Sequence, residues 1–82
     1  NPFNPTTNIK YDLYEKSIVK LKIFNLNGKV VKEHLKANQP VGNYSITWDG
    51  TDINGHLVPA GMYFYSIQTK NFTQTKKMVL LK

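Results

Sequence analysis

The sequence predicts an all-β fold, an immunoglobulin-like antiparallel β-sandwich of about seven strands, and three observations predict it. Nearly every apolar segment alternates with a step of two, which gives an extended chain one apolar and one polar side. None sustains the i, i+3, i+4 spacing of an amphipathic helix. Clusters of Asn, Asp, Gly and Pro separate the segments at short intervals, as tight turns between strands require.

At 82 residues the chain holds one domain, read as residues 6–82. It has no cysteine, so neither a disulfide nor a cysteine metal site can hold it together. Its 40% hydrophobic content is close to the globular average, and packing must supply the stability. The apolar run Met78-Val79-Leu80-Leu81 falls far short of the roughly 20 residues a membrane helix needs, so no transmembrane segment is expected. The chain opens on Asn1 with no basic segment leading into an apolar one, and reads as a domain excised from a longer protein, without a signal peptide.

Asn1-Pro2-Phe3-Asn4-Pro5 holds two Asn-Pro pairs, which bias the chain to extended conformations and remove ladder donors, so residues 1–5 read as an extended lead-in from a preceding domain. The first strand runs from Thr6 to Leu13, with Ile9, Tyr11 and Leu13 on one face, and Tyr14 to Ser17 is a turn. Strands two and three, Ile18 to Asn25 and Lys29 to Leu35, meet around Asn27-Gly28. A two-residue turn would set Ile23 against Lys32 and Leu21 against His34, mixing core with charge. A three-residue loop of Leu26, Asn27 and Gly28, with Gly28 left-handed, instead pairs Asn25 with Lys29, Ile23 with Val31 and Val19 with Leu35. That arrangement is the expected one. Lys36 to Gly42 is a loop, and a fourth strand from Asn43 to Asp49 points Tyr44, Ile46 and Trp48 inward. Leu57-Val58 makes a short strand before Pro59-Ala60-Gly61. Met62 to Lys70 is apolar on both faces and belongs at the centre of a sheet, and Phe72 to Leu81 is the last strand.

The formal charge is +6, and all 11 basic residues are lysine. Specific phosphate and base contacts favour the bidentate guanidinium, so no nucleic-acid partner is expected, and the alternating lysines read as solvated strand faces that discourage edge pairing. Nor does the chain read as an enzyme. Ser17, Ser45 and Ser66 lack a nucleophile-elbow context, and His34 and His56 read as surface residues. Asp49, Asp52, Asn54 and Gly55 resemble an oxygen-rich calcium loop, but position 50 is Gly and no acid follows Asp52. Turn chemistry accounts for them, so no metal and no cofactor is expected.

Three segments together resemble a known family. They are Asn1-Pro2-Phe3-Asn4-Pro5-Thr6-Thr7, Trp48-Asp49-Gly50-Thr51-Asp52 through Pro59-Ala60-Gly61-Met62-Tyr63-Phe64-Tyr65, and Phe72 to Lys82. Their order and spacing are similar to the type A C-terminal sorting domain of the type IX secretion system, with a related pattern in the immunoglobulin-like domain of the flagellar hook-capping protein. The resemblance implies a non-catalytic signal of a Bacteroidetes-type bacterium that directs an N-terminal cargo domain across the outer membrane to a secreted or cell-surface destination. It further implies two partners, the type IX secretion machinery and its sortase-like signal peptidase. Carried over by position, the family motif falls on Pro59, Gly61 and Tyr63 and the hairpin glycine on Gly28. The recognition segment falls on Lys76, Lys77, Met78, Val79, Leu80, Leu81 and Lys82, with one alternating set anchoring the strand and the other readable. Asn71 stands where many members have a turn glycine. The alternative expectation is an immunoglobulin-like spacer, or a carbohydrate-binding or adhesion module of a secreted enzyme, with aromatics such as Trp48 stacking sugars.

Overall fold

Six strands carry the chain in the computed structural model, which describes residues 6–81. They are β1 (Thr7–Leu13), β2 (Ser17–Phe24), β3 (Val30–Gln39), β4 (Gly42–Trp48), β5 (Gly61–Gln68) and β6 (Thr73–Leu80). β1 and β4 form one sheet and β3-β2-β5-β6 the other, every pairing antiparallel. One hydrophobic cluster draws on both sheets, with Ile9, Leu13 and Trp48 from the first and Leu21, Ile23, Ile67 and Leu80 from the second. The layers are therefore the two halves of a sandwich, and the inward sets of β1, β2 and β4 are the ones their alternation predicts. Each fully buried aliphatic among them contributes roughly 1.5–3 kcal/mol, which is how a fold without disulfides holds. The extended lead-in expected at 1–5 lies outside the described residues.

The seventh strand is not formed. Leu57 makes only an isolated bridge with Thr51, and the Val58 N–H donates to the Gly50 carbonyl at 2.9 Å. Pro59 follows at once and has no N–H, so the ladder has nowhere to extend. β3 is longer than expected and reaches Gln39, which reduces the loop expected from Lys36 to Gly42 to Pro40 and Val41. Asn38, in the left-handed region at φ 57°, takes up the extra residue where the β2–β3 register shifts between Ser17 and Val19.

The hairpin between β2 and β3 follows both registers in succession. Its loop is the three-residue one: Asn25 N–H donates to the Lys29 carbonyl at 3.0 Å, Gly28 sits at φ 81°, and Phe24 pairs with Val30. A bulge then inserts Val31, and beyond it Ile23 faces Lys32, Leu21 faces His34 and Val19 faces Lys36, not Val31, Glu33 and Leu35. The bulge places Val31 in the core and still leaves Lys32 on the inner side. That lysine escapes burial of its charge by reaching the 49–58 loop, where its Nζ donates to Thr51 Oγ1 at 3.0 Å and to the Asp52 carbonyl at 3.1 Å. Leu35 is left exposed on the edge strand.

β5 lies between β2 and β6, the central position its two apolar faces predict. The β5–β6 turn does not use a left-handed residue at Asn71, since Asn38 is the only non-glycine with positive φ among the described residues. The Thr69 hydroxyl accepts from the N–H groups of Asn71 and Phe72, and the Asn71 side-chain amide donates to Glu15. Ser17, buried at the start of β2, accepts the Lys70 N–H at 2.8 Å and donates to the Ile18 carbonyl at 2.7 Å, tying this turn to the sheet.

Candidate functional site

The motif residues converge at one end of the four-stranded sheet. Gly61 pairs with Leu80, Met62 with Val79 and Tyr63 with Met78, so the Pro59-Gly61-Tyr63 motif and the terminal segment are two sides of one ladder. Asn25, Leu26 and Asn27, the residues before Gly28, line a shallow cleft of about 270 Å³ with Ala60, Gly61, Met62 and Tyr63. Along β6, Met78 and Leu80 are buried, while Lys76, Lys77, Val79 and Leu81 are exposed. β6 is an edge strand, as its terminal position predicts. Lys82 lies outside the described residues.

What the motif does locally is visible in its bonds. The Tyr63 hydroxyl donates to the Pro59 carbonyl at 2.6 Å, and its ring meets Trp48 edge to face with centroids 5.1 Å apart. Gly61 supplies the intervening bend at φ 142°. This is a tyrosine corner, in which a core ring is pinned to the backbone four residues upstream. Trp48 is 1% exposed, and its indole N–H donates to the Thr51 carbonyl at 2.9 Å. Its ring is thus a core element and offers no open face for a sugar.

The reading of the sequence missed that the corner occurs twice. Pro40-Val41-Gly42-Asn43-Tyr44 has the same spacing as Pro59-Ala60-Gly61-Met62-Tyr63, and the Tyr44 hydroxyl donates to the Pro40 carbonyl at 2.5 Å. Tyr44 stacks on Tyr11 at 5.4 Å, and the Tyr11 hydroxyl donates to Gln39 Oε1 at 2.5 Å. The signal that finds it is the repeated P-x-G-x-Y itself.

The oxygen-rich loop after Trp48 uses its carboxylates on its own backbone. Asp49 Oδ1 accepts from the N–H and hydroxyl of Thr51, at 3.1 and 2.6 Å, and the hydroxyl bond holds its carboxyl below the usual carboxylate range. Asp52 Oδ1 accepts the N–H groups of Asn54 and His56, at 2.9 and 3.0 Å, and the His56 bond is the main cause of its lowered pKa. Among the described residues no group of three or more His, Asp or Glu side chains gathers to hold a metal ion. His34, half-buried on the inner side of β3, is pushed below the ordinary histidine value by burial and by Lys32 and Lys36. Among the described residues no helix is long and apolar enough to cross a membrane.

Two antiparallel sheets around a common core, with a tyrosine corner on each, define an immunoglobulin-like β-sandwich. The chain belongs to the FlgD Ig-like domain family, whose model matches residues 4–72. Among solved structures it is similar to FlgD from P. aeruginosa, with 28% identity and a TM-score of 0.73 over 92% of this chain and 58% of that one. FlgD from Xanthomonas campestris, whose structure is described as giving insight into the hook capping essential for flagellar assembly, matches with 27% identity and a TM-score of 0.72 over 94% of this chain and 56% of that one. The chain thus spans a little over half the length of these FlgD structures. No curated protein sequence matched it.

These matches overturn the sorting-domain expectation. Family and structures alike are FlgD, so a type IX sorting signal, its secretion machinery and signal peptidase as partners, and a secreted or cell-surface destination by way of the outer membrane are all set aside. The reason is local. Pro59, Gly61, Tyr63 and the Trp48-to-Asp52 stretch, the central of the three segments behind the resemblance, are corner and loop devices of the sandwich. They identify a fold and not a transport route. The relationship to the hook-capping immunoglobulin-like domain is the part of the resemblance that stands.

Proposed function

We propose that this chain is a non-catalytic structural module, an immunoglobulin-like spacer that sets the geometry of a hook-capping protein in flagellar assembly. The match to two FlgD structures over more than nine-tenths of the chain carries this reading. The way the polar side chains are used supports it. Asp49, Asp52, Ser17 and Thr69 are each engaged with nearby backbone, which suits a rigid body. The β5–β6 ladder, with Gly61 against Leu80 and Tyr63 against Met78, serves in this reading to stiffen the module.

The test is to delete the coding segment for residues 6–81 in frame from the parent gene and to image hooks by electron microscopy. Loss of hooks with the truncated protein still present supports the proposal. Normal hooks and motility defeat it.

A further inference from the structure

The end of the four-stranded sheet opposite Gly28 and Gly61 carries a different surface. There the start of β2, the second bulge of β3 and the end of β5 enclose a cleft of about 680 Å³. Its lining includes Lys16, Lys20 and Lys70, with Asn38, Gln68 and Ile18, and among the described residues contains no carboxylate. The chain has only five acidic residues, and Glu15, the one beside this cleft in sequence, is engaged with the Asn71 amide. Among the described residues the one ion-pair contact is between His56 and Asp52, so no described carboxylate neutralises these three ammonium groups.

The layout is that of an extended track. Ile18 and Lys20 lie two residues apart on one face of β2, Lys16 continues the same spacing from the turn just before it, and Ile18 is 56% exposed. A strand advances roughly 6.6 Å every two residues, so Ile18 and Lys20 recur at the interval at which an extended peptide presents successive side chains on one face, with a further cation at the strand's start. Lys70 adds a third cation from the neighbouring β5 end. Ammonium groups act as point charges suited to single carboxylate oxygens, whereas a phosphate-reading surface favours the planar guanidinium fork, and this chain has no arginine. The overall charge of +6 steers an acidic partner toward the domain.

We propose that this cleft docks an extended acidic segment of a partner protein, its carboxylates meeting Lys16, Lys20 and Lys70 and an apolar side chain between them resting on Ile18. This goes beyond the structural role proposed above and does not depend on it.

The test titrates the isotope-labelled 82-residue chain with a Glu-Val-Glu-Val-Glu peptide and, separately, with inorganic polyphosphate, following backbone amides by NMR in about 0.1 M salt. Peptide-induced shifts are expected at Lys16–Lys20, Asn38 and Gln68–Lys70. The pair Lys16→Glu and Lys70→Glu changes two exposed turn residues and should weaken peptide binding roughly tenfold. The pair Lys29→Glu and Lys77→Glu makes the same change in net charge at sites outside the cleft and should weaken it less than about twofold, since salt-screened attraction fades within roughly 10 Å. Equal weakening by the two pairs, shifts spread over every lysine-bearing face, or tighter binding of polyphosphate at the same residues would each overturn the proposal.

Discussion

Trp48 and Tyr63 meet edge to face across the two sheets, their centroids 5.1 Å apart and their planes at 71°. The Tyr63 hydroxyl bond to the Pro59 carbonyl, which anchors the far end of that ring, is partly buried, whereas the matching bond from Tyr44 to Pro40 is exposed. Water replaces a lost partner at the exposed corner and does so poorly at the buried one. Tyr63→Phe should therefore cost about 1 kcal/mol and Tyr44→Phe only a few tenths, read from urea midpoints. Equal costs would mean that the two corners are energetically alike and that burial does not distinguish them.

Gly28 and Gly61 separate two ways in which a turn can need glycine. At neither does an added Cβ meet another atom within 4 Å, so crowding is not the issue and backbone conformation decides. Gly28, at φ 81°, lies near the left-handed region that asparagine tolerates, whereas Gly61, at φ 142°, lies where side chains are rare. Gly28→Asn should be nearly neutral and Gly61→Asn should cost roughly 1–3 kcal/mol. Thermal unfolding of the two variants side by side decides, and a Gly61→Asn variant as stable as the parent would refute it.

The inward sets of β1 and β4 were legible because their alternation is clean, and β5, apolar on both faces, was legible as a central strand. Ile9, Tyr11 and Leu13, or Tyr63 and Ile67, can point only one way once a single face is buried. β3 was not legible in the same way. Its alternation predicts Val31 and Leu35 inward, and Val31 is, but the bulge there and a long-range outlet for Lys32 at Thr51 and Asp52 reverse the faces of the residues that follow, and neither leaves a mark in the local pattern. The loop glycine at position 28 was readable from turn chemistry alone. Function was misread for a related reason: Pro59, Gly61 and Tyr63 are spaced by the geometry of a corner, and a corner serves any sandwich that needs one.

The inner face of β3 also sets a pH dependence. His34 has a folded-state pKa below its ordinary value, first because of burial and then because of Lys32 and Lys36, with Asp49 opposing them weakly. The unfolded chain therefore binds more protons at this site than the folded one, and stability must rise with pH through the window below about 6.5. The loss is complete once pH falls below the folded value. Asp49 and Asp52, held below the usual carboxylate range, add their own loss only at more acidic pH. Between about pH 7.5 and about pH 5 the parent should lose stability and His34→Gln should lose much less, as urea midpoints at the two pH values will report. Parallel losses in the two proteins would clear His34 of the effect.

Lys32 is the inward lysine on which the loop after Trp48 depends. Its ammonium donates to the Thr51 hydroxyl and the Asp52 carbonyl, and Thr51 in turn accepts the Trp48 indole N–H through its own carbonyl. Removing the ammonium while keeping the aliphatic stem isolates this role from packing. Lys32→Met should cost about 1 kcal/mol globally, because half-buried charge-assisted bonds are lost while the stem still covers the core. The local effect should be larger than the global one. Amide exchange at Asp52, Gly55 and Val58, whose N–H groups close the loop on the carbonyls of His56, Asp52 and Gly50, should speed up well beyond what the global change accounts for. Leu21 and Ile67, fully buried in the same sheet, should follow only the global change. If loop and core amides accelerate by the same factor, the lysine stabilises the fold as a whole and is not a strut for the loop.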